Sequence, residues 1–374
     1  MAFTDRISLL RKQMEKWDVA AFFTSPDANW QYLAGLSRLG GGPTKTRQHG
    51  IDFACLVVTQ TNVTAFIPEL NLLGRKALLP DTRLIALPEG DINGDTFRRE
   101  LQSMGISGKR VGCTRDVSSG VILAAESCLS VSFVDMDEVL VNMRAVKDDE
   151  ELQVIRKGVE LTDAIYRTIT QDIIHAGMSR RQLERDIDRL MEELGASGCS
   201  FPTDVNVQCQ FSSSLGDSYV RLEKGSVVAF DFGLVYQNYC TDFGRTIFIG
   251  EPSKRLQDMF GLVYQAHMAG CSCLKHGNSC GEDADEAARA IFREAGLDKA
   301  FIHKLGHSIG LDVHERPFLA RGEKEPFRKN EIYAVEPSLY LPQEAFLRVE
   351  DEVLVTDGQF EILSKIPHEP IVIE

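Results

Sequence analysis

Residues 226–250, SVVAFDFGLVYQNYCTDFGRTIFIG, carry two aspartates in a pattern that could hold a cation. The apolar run 227–230 ends in Asp231, and the run that begins at Cys240 brings in Asp242. Both runs read as strands, joined by the polar, aromatic tip Tyr236-Gln237-Asn238-Tyr239. A symmetric fold between Tyr236 and Gln237 predicts that Asp231 faces Asp242 directly. Opposed Cβ atoms in such a ladder lie about 4.5–5.5 Å apart, and like charges there destabilise the strand pair. A proton or a cation between them resolves the conflict, and a metal is the sharper reading. A shifted register, with one aspartate turned to solvent, is the alternative that the hairpin alone leaves open. A kinase-like use of Asp231-Phe232-Gly233 is disfavoured, because no glycine-rich phosphate loop or HRD catalytic loop accompanies it.

The same arrangement recurs further on. Residues 331–340 and 346–356 read as a second hairpin, and a turn centred on Gln343 sets Glu336 opposite Glu350. Between the two hairpins, His303, His307 and His314 put three of the eight histidines into 12 residues. Such clustering favours a site over solvated or packed side chains. Four carboxylates with one imidazole exceed the needs of one small cation and suit two divalent ions that share bridging carboxylates. An oxygen-rich set of this kind accepts Mn²⁺, Co²⁺, Fe²⁺ or Zn²⁺ without selecting sharply. Two metals about 3.5–4 Å apart would lower the pKa of a shared water and polarise a carbonyl. Hydrolysis follows, with a spare carboxylate moving protons.

The rest of the chain must position these groups. With 374 residues, 43% hydrophobic and 26% charged, it has material for two globular domains. A formal net charge of -14 argues against nucleic acid and against an anionic membrane surface as partners. The opening residues MAFTDR lead into no apolar segment, and no run approaches membrane-spanning length, so neither a secretory signal nor a membrane span is expected. Nine irregularly placed cysteines argue against a disulfide framework and for a reducing cytoplasm. Cys271, Cys273 and Cys280 lack the paired spacing and fourth ligand of a soft-metal site, so buried free thiols are the better reading.

Hydrophobic periodicity predicts a helix over 4–18 capped by Thr4, a strand over 19–24, a helix over 26–36 and a glycine-rich basic loop over 40–47. Strands over 53–59 and 62–68 follow, then a helix over 71–79 and a strand over 84–87. Helices over 96–104 and 118–127 alternate with strands over 110–114 and 131–135, which together predict a mixed α/β domain. Residues 136–147 read as the boundary. The charge run Lys147-Asp148-Asp149-Glu150-Glu151 opens a helix that reaches Ile174, with acids where the macrodipole favours them. Helices over 179–194, 252–275 and 282–295, a strand over 204–207 and a serine-rich loop over 212–217 complete the frame.

With these motifs in order, the chain resembles the creatinase/prolidase/methionine-aminopeptidase family of pita-bread metallopeptidases, and within it the Xaa-Pro peptidases prolidase and aminopeptidase P. Residues 17–35 are similar to the start of a creatinase-type amino-terminal domain. Residues 143–151, MRAVKDDEE, resemble the family's R-x-x-K-x-x-x-E linker. DFG, TDFGRT, GHSIGLDVHE, VEPSLY and RVEDEVLVT are similar to its ligand-bearing segments. The resemblance implies an α+β fold, with a pita-bread catalytic domain over 143–374 preceded by a smaller creatinase-type α/β domain over 1–142. It implies that Asp231 and Asp242 serve one metal, that His307 and Glu336 serve the other, and that Asp242 and Glu350 bridge. Mn²⁺ is the first expectation, with Co²⁺, Fe²⁺ or Zn²⁺ as the others. It makes Glu336, His314, His303 and Arg348 catalytic. Ordering a loop (His303) and neutralising an acidic sheet (Arg348) are the structural alternatives.

The function so implied is dinuclear-metal hydrolysis of the Xaa-Pro bond, in dipeptides or at peptide amino termini, by a cytoplasmic homodimer in which the 40–47 loop closes the partner's cleft. One position departs from the pattern. Relatives usually carry a histidine 17 residues before the first metal aspartate, where this chain has Ser214. Ser308 and Ser338 stand where relatives often carry glycine. These departures keep open a metal-dependent hydrolase or lyase acting on a small non-peptide C–N substrate. The five ligands count against a metal-free creatinase-type mechanism and against a non-catalytic binding protein. The domain in front counts against a plain methionine aminopeptidase.

Overall fold

The computed structural model describes residues 2–39, 50–74, 76–208, 220–342 and 344–374. The loop expected over 40–47 lies outside them, as does the serine-rich loop with Ser214. The chain divides into two compact units, Met1–Arg144 and Ala145–Glu374.

The first unit contains α1 (Phe3–Lys16), β1 (Ala21–Thr24), α2 (Ala28–Ala34), β2 (Cys55–Thr59), β3 (Val63–Pro68), α3 (Glu69–Leu72), β4 (Arg83–Leu87), α4 (Asp95–Gln102), β5 (Arg110–Cys113), α5 (Ser119–Leu129), β6 (Ser132–Asp135) and α6 (Asp137–Ala145). Its six strands run in the order β4-β3-β2-β1-β5-β6. The first three are antiparallel, and β4, β5 and β6 join in parallel. That is the mixed α/β arrangement expected from hairpins followed by alternating elements. Phe66 and Phe97, both fully buried, meet edge-to-face with centroids 4.7 Å apart in its core.

Three local expectations change. Thr4 does not cap α1, which starts one residue earlier without a side-chain cap. The helix expected over 71–79 is the single turn of α3, because Gly74 adopts a left-handed conformation at φ 76°. The stretch read as a boundary contains α6, with Asp137 and Glu138 in its first turn.

The second unit contains α7 (Asp149–Thr168), α8 (Arg180–Glu193), β7 (Asp204–Val207), β8 (Val227–Phe232), β9 (Val235–Tyr236), β10 (Tyr239–Cys240), β11 (Phe243–Ile249), α9 (Lys254–Cys273), α10 (Gly281–Glu294), β12 (Gly306–Ser308), β13 (Glu315–Leu319), β14 (Ile332–Val335), β15 (Ser338–Leu341), β16 (Ala345–Val355), β17 (Phe360–Ile362) and β18 (Ile371–Ile373). Asp148 and Glu151 form a capping box that starts α7, and its far end passes into a π-helical turn at Ile169–Ile173.

The main sheet runs β13-β12-β14-β16-β11-β8-β7, with β15 and β17 on β16 and β18 on β11. All 11 residues of β16 are buried, so both of its faces are covered. Alternation sorts the side chains. Val227 and Phe248 join a core with α9 and α10, while Val228, Phe230 and Ile247 join one with α7 and α8.

Of the cysteines among the described residues, Cys55, Cys240 and Cys271 are buried, but Cys199 is exposed and Cys113, Cys128, Cys273 and Cys280 are half-buried; these eight are free thiols. Among the described residues no helix is long and apolar enough to cross a membrane.

Candidate metal centre

The first hairpin pairs differently from the expectation. Asp231 lies opposite Gly244, and Phe232 lies opposite Phe243. Gln237 and Asn238 both have positive φ, 46° and 75°, and form a two-residue turn that sets Tyr236 against Tyr239. The fold axis therefore falls one residue later than between Tyr236 and Gln237. Asp242 is shifted two places along its strand, a diagonal neighbour of Asp231. The second hairpin does pair as expected. Val335 opposes Asp351 and Ser338 opposes Arg348, so the same register sets Glu336 across from Glu350.

The five expected ligand residues converge although the first register differs. Ligand atoms of Asp231, Asp242 and Glu350 lie within 4.8 Å of one another, as do those of His307, Glu336 and Glu350, and those of Asp242, His307 and His314. Glu350 and Asp242 thus belong to overlapping groups. His307 Nε2 is 3.4 Å from Asp242 Oδ2 and 3.7 Å from Glu336 Oε1. Its Nδ1 faces the Ser308 carbonyl at 3.1 Å, which requires a proton on Nδ1 and leaves Nε2 free to ligate.

Both oxygens of Glu350, Asp242 Oδ1 and His307 Nε2 are buried without a hydrogen-bond partner. Such orphaned acceptors are costly. Divalent cations are what this oxygen-rich, single-imidazole donor set accommodates.

Arg348 is the internal counter-charge. It pairs with Asp231, reaches Glu336 Oε2 at 3.3 Å and Glu350 Oε2 at 3.6 Å, and donates to Ser338 Oγ at 3.0 Å. Burial pushes Asp231 up to about 7, against the pull of Arg348 and with the help of Asp242. Burial and the Asp242 charge push Glu350 well above the carboxylate range. Burial opposes the ionised form of Glu336 as well, but Arg348, His303 and His307 outweigh it and lower its pKa. Burial lowers His303 and His314 and favours their neutral rings. His303 Nδ1 donates to the Lys304 carbonyl at 2.7 Å, and its Nε2 is buried without a partner. The His314 ring stands against His307, centroids 4.2 Å apart.

Several supporting residues were not foreseen from the sequence. Lys147, 1% exposed, donates to Ser308 Oγ at 3.2 Å and sits 3.8 Å from Glu315 Oε2, so it ties down the segment that carries His307 and His314. One helical turn on, Glu151 accepts a 2.7 Å hydrogen bond from the Tyr239 hydroxyl at the tip of the first hairpin. Glu352 Oε1 accepts from the Asp242 backbone N–H at 2.8 Å. Ser308 and Ser338, the two departures from glycine, both have work: Ser308 accepts from Lys147, and Ser338 links Arg348 to the Glu336 carbonyl at 3.0 Å.

On the other face of β16, Asp351 accepts from Arg245 Nη2 at 2.6 Å and from His368 Nε2 at 2.8 Å, with His267 Nε2 at 3.2 Å. Burial alone would raise its pKa, but Arg245 and the two imidazoles hold Asp351 well below the usual carboxylate range. The alternation of acids at 350, 351 and 352 was the available signal, since neighbours on a strand point to opposite faces. Cys271, Cys273 and Cys280 appear in none of the metal-competent groups of the described residues.

Comparison with known proteins gives the family. The family model described as metallopeptidase family M24 matches residues 153–357, and the creatinase/prolidase amino-terminal domain model matches residues 6–146. The chain is 26% identical over 373 residues to the Xaa-Pro dipeptidase of Pyrococcus horikoshii, covering 98% of this chain and 99% of that one. It is 27% identical over 369 residues to the Xaa-Pro dipeptidase of Pyrococcus furiosus, with the same coverage. The crystal structure of recombinant prolidase from Thermococcus sibiricus superposes with a TM-score of 0.88 at 25% identity, over the whole of both chains.

Proposed function

The chain belongs to metallopeptidase family M24, and we propose that it hydrolyses the Xaa-Pro bond of small peptides with the help of two divalent metal ions. The observation that carries this reading is Glu350, fully buried with neither oxygen hydrogen-bonded, where the group with Asp231 and Asp242 overlaps the group with His307 and Glu336. In this reading Asp231 and Asp242 hold one ion, His307 and Glu336 hold the other, and Asp242 and Glu350 serve both. Mn²⁺ is the ion we expect first. The substrate class is supported by the two Pyrococcus relatives, both Xaa-Pro dipeptidases. Bound divalent ions would supply activation of a water and polarisation of the scissile carbonyl.

The chain's own groups do the remainder. Glu336, kept ionised chiefly by Arg348, takes the proton of the attacking water and delivers it to the leaving proline nitrogen. His314, neutral and exposed, donates an N–H to the carbonyl oxygen as negative charge develops there. His303 is fixed through Nδ1, so its Nε2 accepts a hydrogen bond from the substrate. Arg348 holds Asp231 and Glu336 apart from solvent and in place. The alternative, a small non-peptide C–N substrate, rested on Ser214 and draws no support from the relatives.

The test strips the full chain with a chelator, reloads it with Mn²⁺, Co²⁺ or Zn²⁺, and measures bound metal beside hydrolysis of Xaa-Pro peptides. Two ions per chain, with turnover only after loading, is the expected result. Less than one ion after reloading removes the metal reading. A fully loaded protein that cleaves no Xaa-Pro peptide removes the substrate reading.

A further inference from the structure

A second cluster of metal-ligating side chains lies on the other face of β16, turned away from the candidate centre. His267 Nε2 and His368 Nε2 converge on one oxygen of Asp351, Oδ2, at 3.2 and 2.8 Å. The ligand atoms of these three residues all lie within 4.8 Å of one another. In a tetrahedral zinc site, with each ligand about 2.0–2.2 Å from the ion, neighbouring ligand atoms stand roughly 3.3 Å apart. His267 and Asp351 are already at that separation, and His368 needs only a small outward movement. The cluster is also supported from outside. Arg245 Nη2 holds the other oxygen, Oδ1, at 2.6 Å and leaves Oδ2 to the imidazoles. Tyr264, on α9 with His267, stacks on the His368 ring with centroids 5.1 Å apart. His267 and Asp351 are fully buried, whereas the His368 side chain is 19% exposed and gives an ion its way in. Burial lowers the pKa of His267, so its ring is neutral, as a ligand must be. Cys271 Sγ lies 3.7 Å from His267 Nε2, but burial keeps it a neutral thiol and it is not a member of the group. A fourth position is therefore left to water.

We propose that His267, Asp351 and His368 form a third metal site, separate from the candidate centre, that takes one zinc ion and clamps residues 363–373 to the body of the second unit. Two imidazoles with one carboxylate favour Zn²⁺ over Mn²⁺, which stands lowest in affinity among the divalent first-row ions and prefers oxygen donors. Without the ion, each imidazole donates its Nε2 proton to Oδ2. With the ion bound, each ring carries its proton on Nδ1 and turns the Nε2 lone pair to the metal, so neither ring changes charge. The ligands come from α9, from β16 and from the stretch between β17 and β18. β18 itself is held to β11 by only three paired positions. An ion at this point adds a bond from that stretch to a helix and to the central strand at once. The site is independent of the Xaa-Pro reading.

The test counts metal in the full chain after dialysis against an excess of Zn²⁺ or of Mn²⁺. Wild type should hold one more zinc than manganese, in addition to the ions of the candidate centre. His368→Gln should lose that one zinc and keep the others. In Asp242→Ala, where the candidate centre is disabled, the same zinc should remain, and His368→Gln in that background should remove it. With zinc at 100 times the dissociation constant of this site, amide exchange in β18 should slow by about 100-fold in wild type, and exchange in His368→Gln should not respond. Equal zinc counts in wild type and His368→Gln overturn the site and leave the reading of the candidate centre standing. An extra zinc that leaves exchange in β18 unchanged overturns the clamp. A zinc that depends on His368 in a protein whose candidate centre binds no metal upholds this site while the two-metal reading fails.

Discussion

Asp231 is opposed across the hairpin by Gly244, not by Asp242. The space that a side chain would take is occupied from the neighbouring strand: a Cβ on Gly244 would lie 2.7 Å from Glu350 Oε2 and 2.8 Å from Arg348 Cδ. The two aspartates therefore need not confront each other. They lie diagonally, and the vacancy at Gly244 lets a third carboxylate and its guanidinium enter between the strands.

Gly244→Ala tests that relationship. The added methyl forces Glu350 or Arg348 to shift, and overpacking of this kind costs about 1–3 kcal/mol. We expect that loss in urea unfolding together with metal content below that of wild type. Normal metal loading in a stable Gly244→Ala protein would show that the close approach is immaterial.

The metal-free protein should lose stability as pH rises. Asp231 has a folded pKa raised from 3.8 to about 7, and Glu350 is held well above the usual carboxylate range, both chiefly by burial. The folded state therefore binds more protons than the unfolded one. The stabilisation is fully present below about pH 4 and is lost as pH passes through 7 and above. Metal loading needs the deprotonated ligands, so it should reverse the trend between pH 6 and 8. Urea midpoints of chelator-treated and reloaded protein across this range check both signs.

Lys147 and Glu315 form a buried pair, 1% and 5% exposed at the side chain, that restrains the His307–His314 segment. Removal of one partner leaves a buried charge, so Lys147→Met should cost about 3–5 kcal/mol. Lys147→Met combined with Glu315→Leu should recover most of that stability but not the activity, because the segment loses its restraint. A double-mutant cycle in urea, with kcat measured on each protein, gives the answer.

Asp351→Asn should be as damaging as a change at the metal centre, although the side chain points away from it. It would leave Arg245 buried opposite a neutral amide and weaken the hydrogen bonds from His267 and His368. We expect a loss of about 3–5 kcal/mol and faster amide exchange in β18, which follows His368 closely in the chain and pairs with β11. Unaltered exchange there would mean that the His368 contact does not anchor this strand.

The sequence made the chemistry of the site legible and its geometry only partly so. Glu336 and Glu350 could be paired because the turn region around Gln343 leaves one symmetric register. The first hairpin could not be registered, because Gln237-Asn238 lacks the Asn-Gly pattern that announces a two-residue turn. The order of elements in the first unit followed from periodicity, but α6 was hidden in a charged stretch that reads equally as a linker. Lys147 with Glu315 and Arg245 with Asp351 are joined over more than 100 residues of chain. Such pairs carry no local period, so nothing local in the sequence marks them.

β16 carries both Arg348 and Glu350 and lies between β14 and β11 in the sheet, yet it follows every other ligand-bearing strand in the chain. During synthesis, at roughly 5–20 residues per second, the hairpin with Asp231 and Asp242 leaves the ribosome first, and the strands that lead to His307 and Glu336 follow. Each half emerges without the carboxylate that the two share. An ion captured at that stage would meet an incomplete set of donors. On the proposed reading, a complete donor set exists only once translation has passed Glu350 and the last strand has docked.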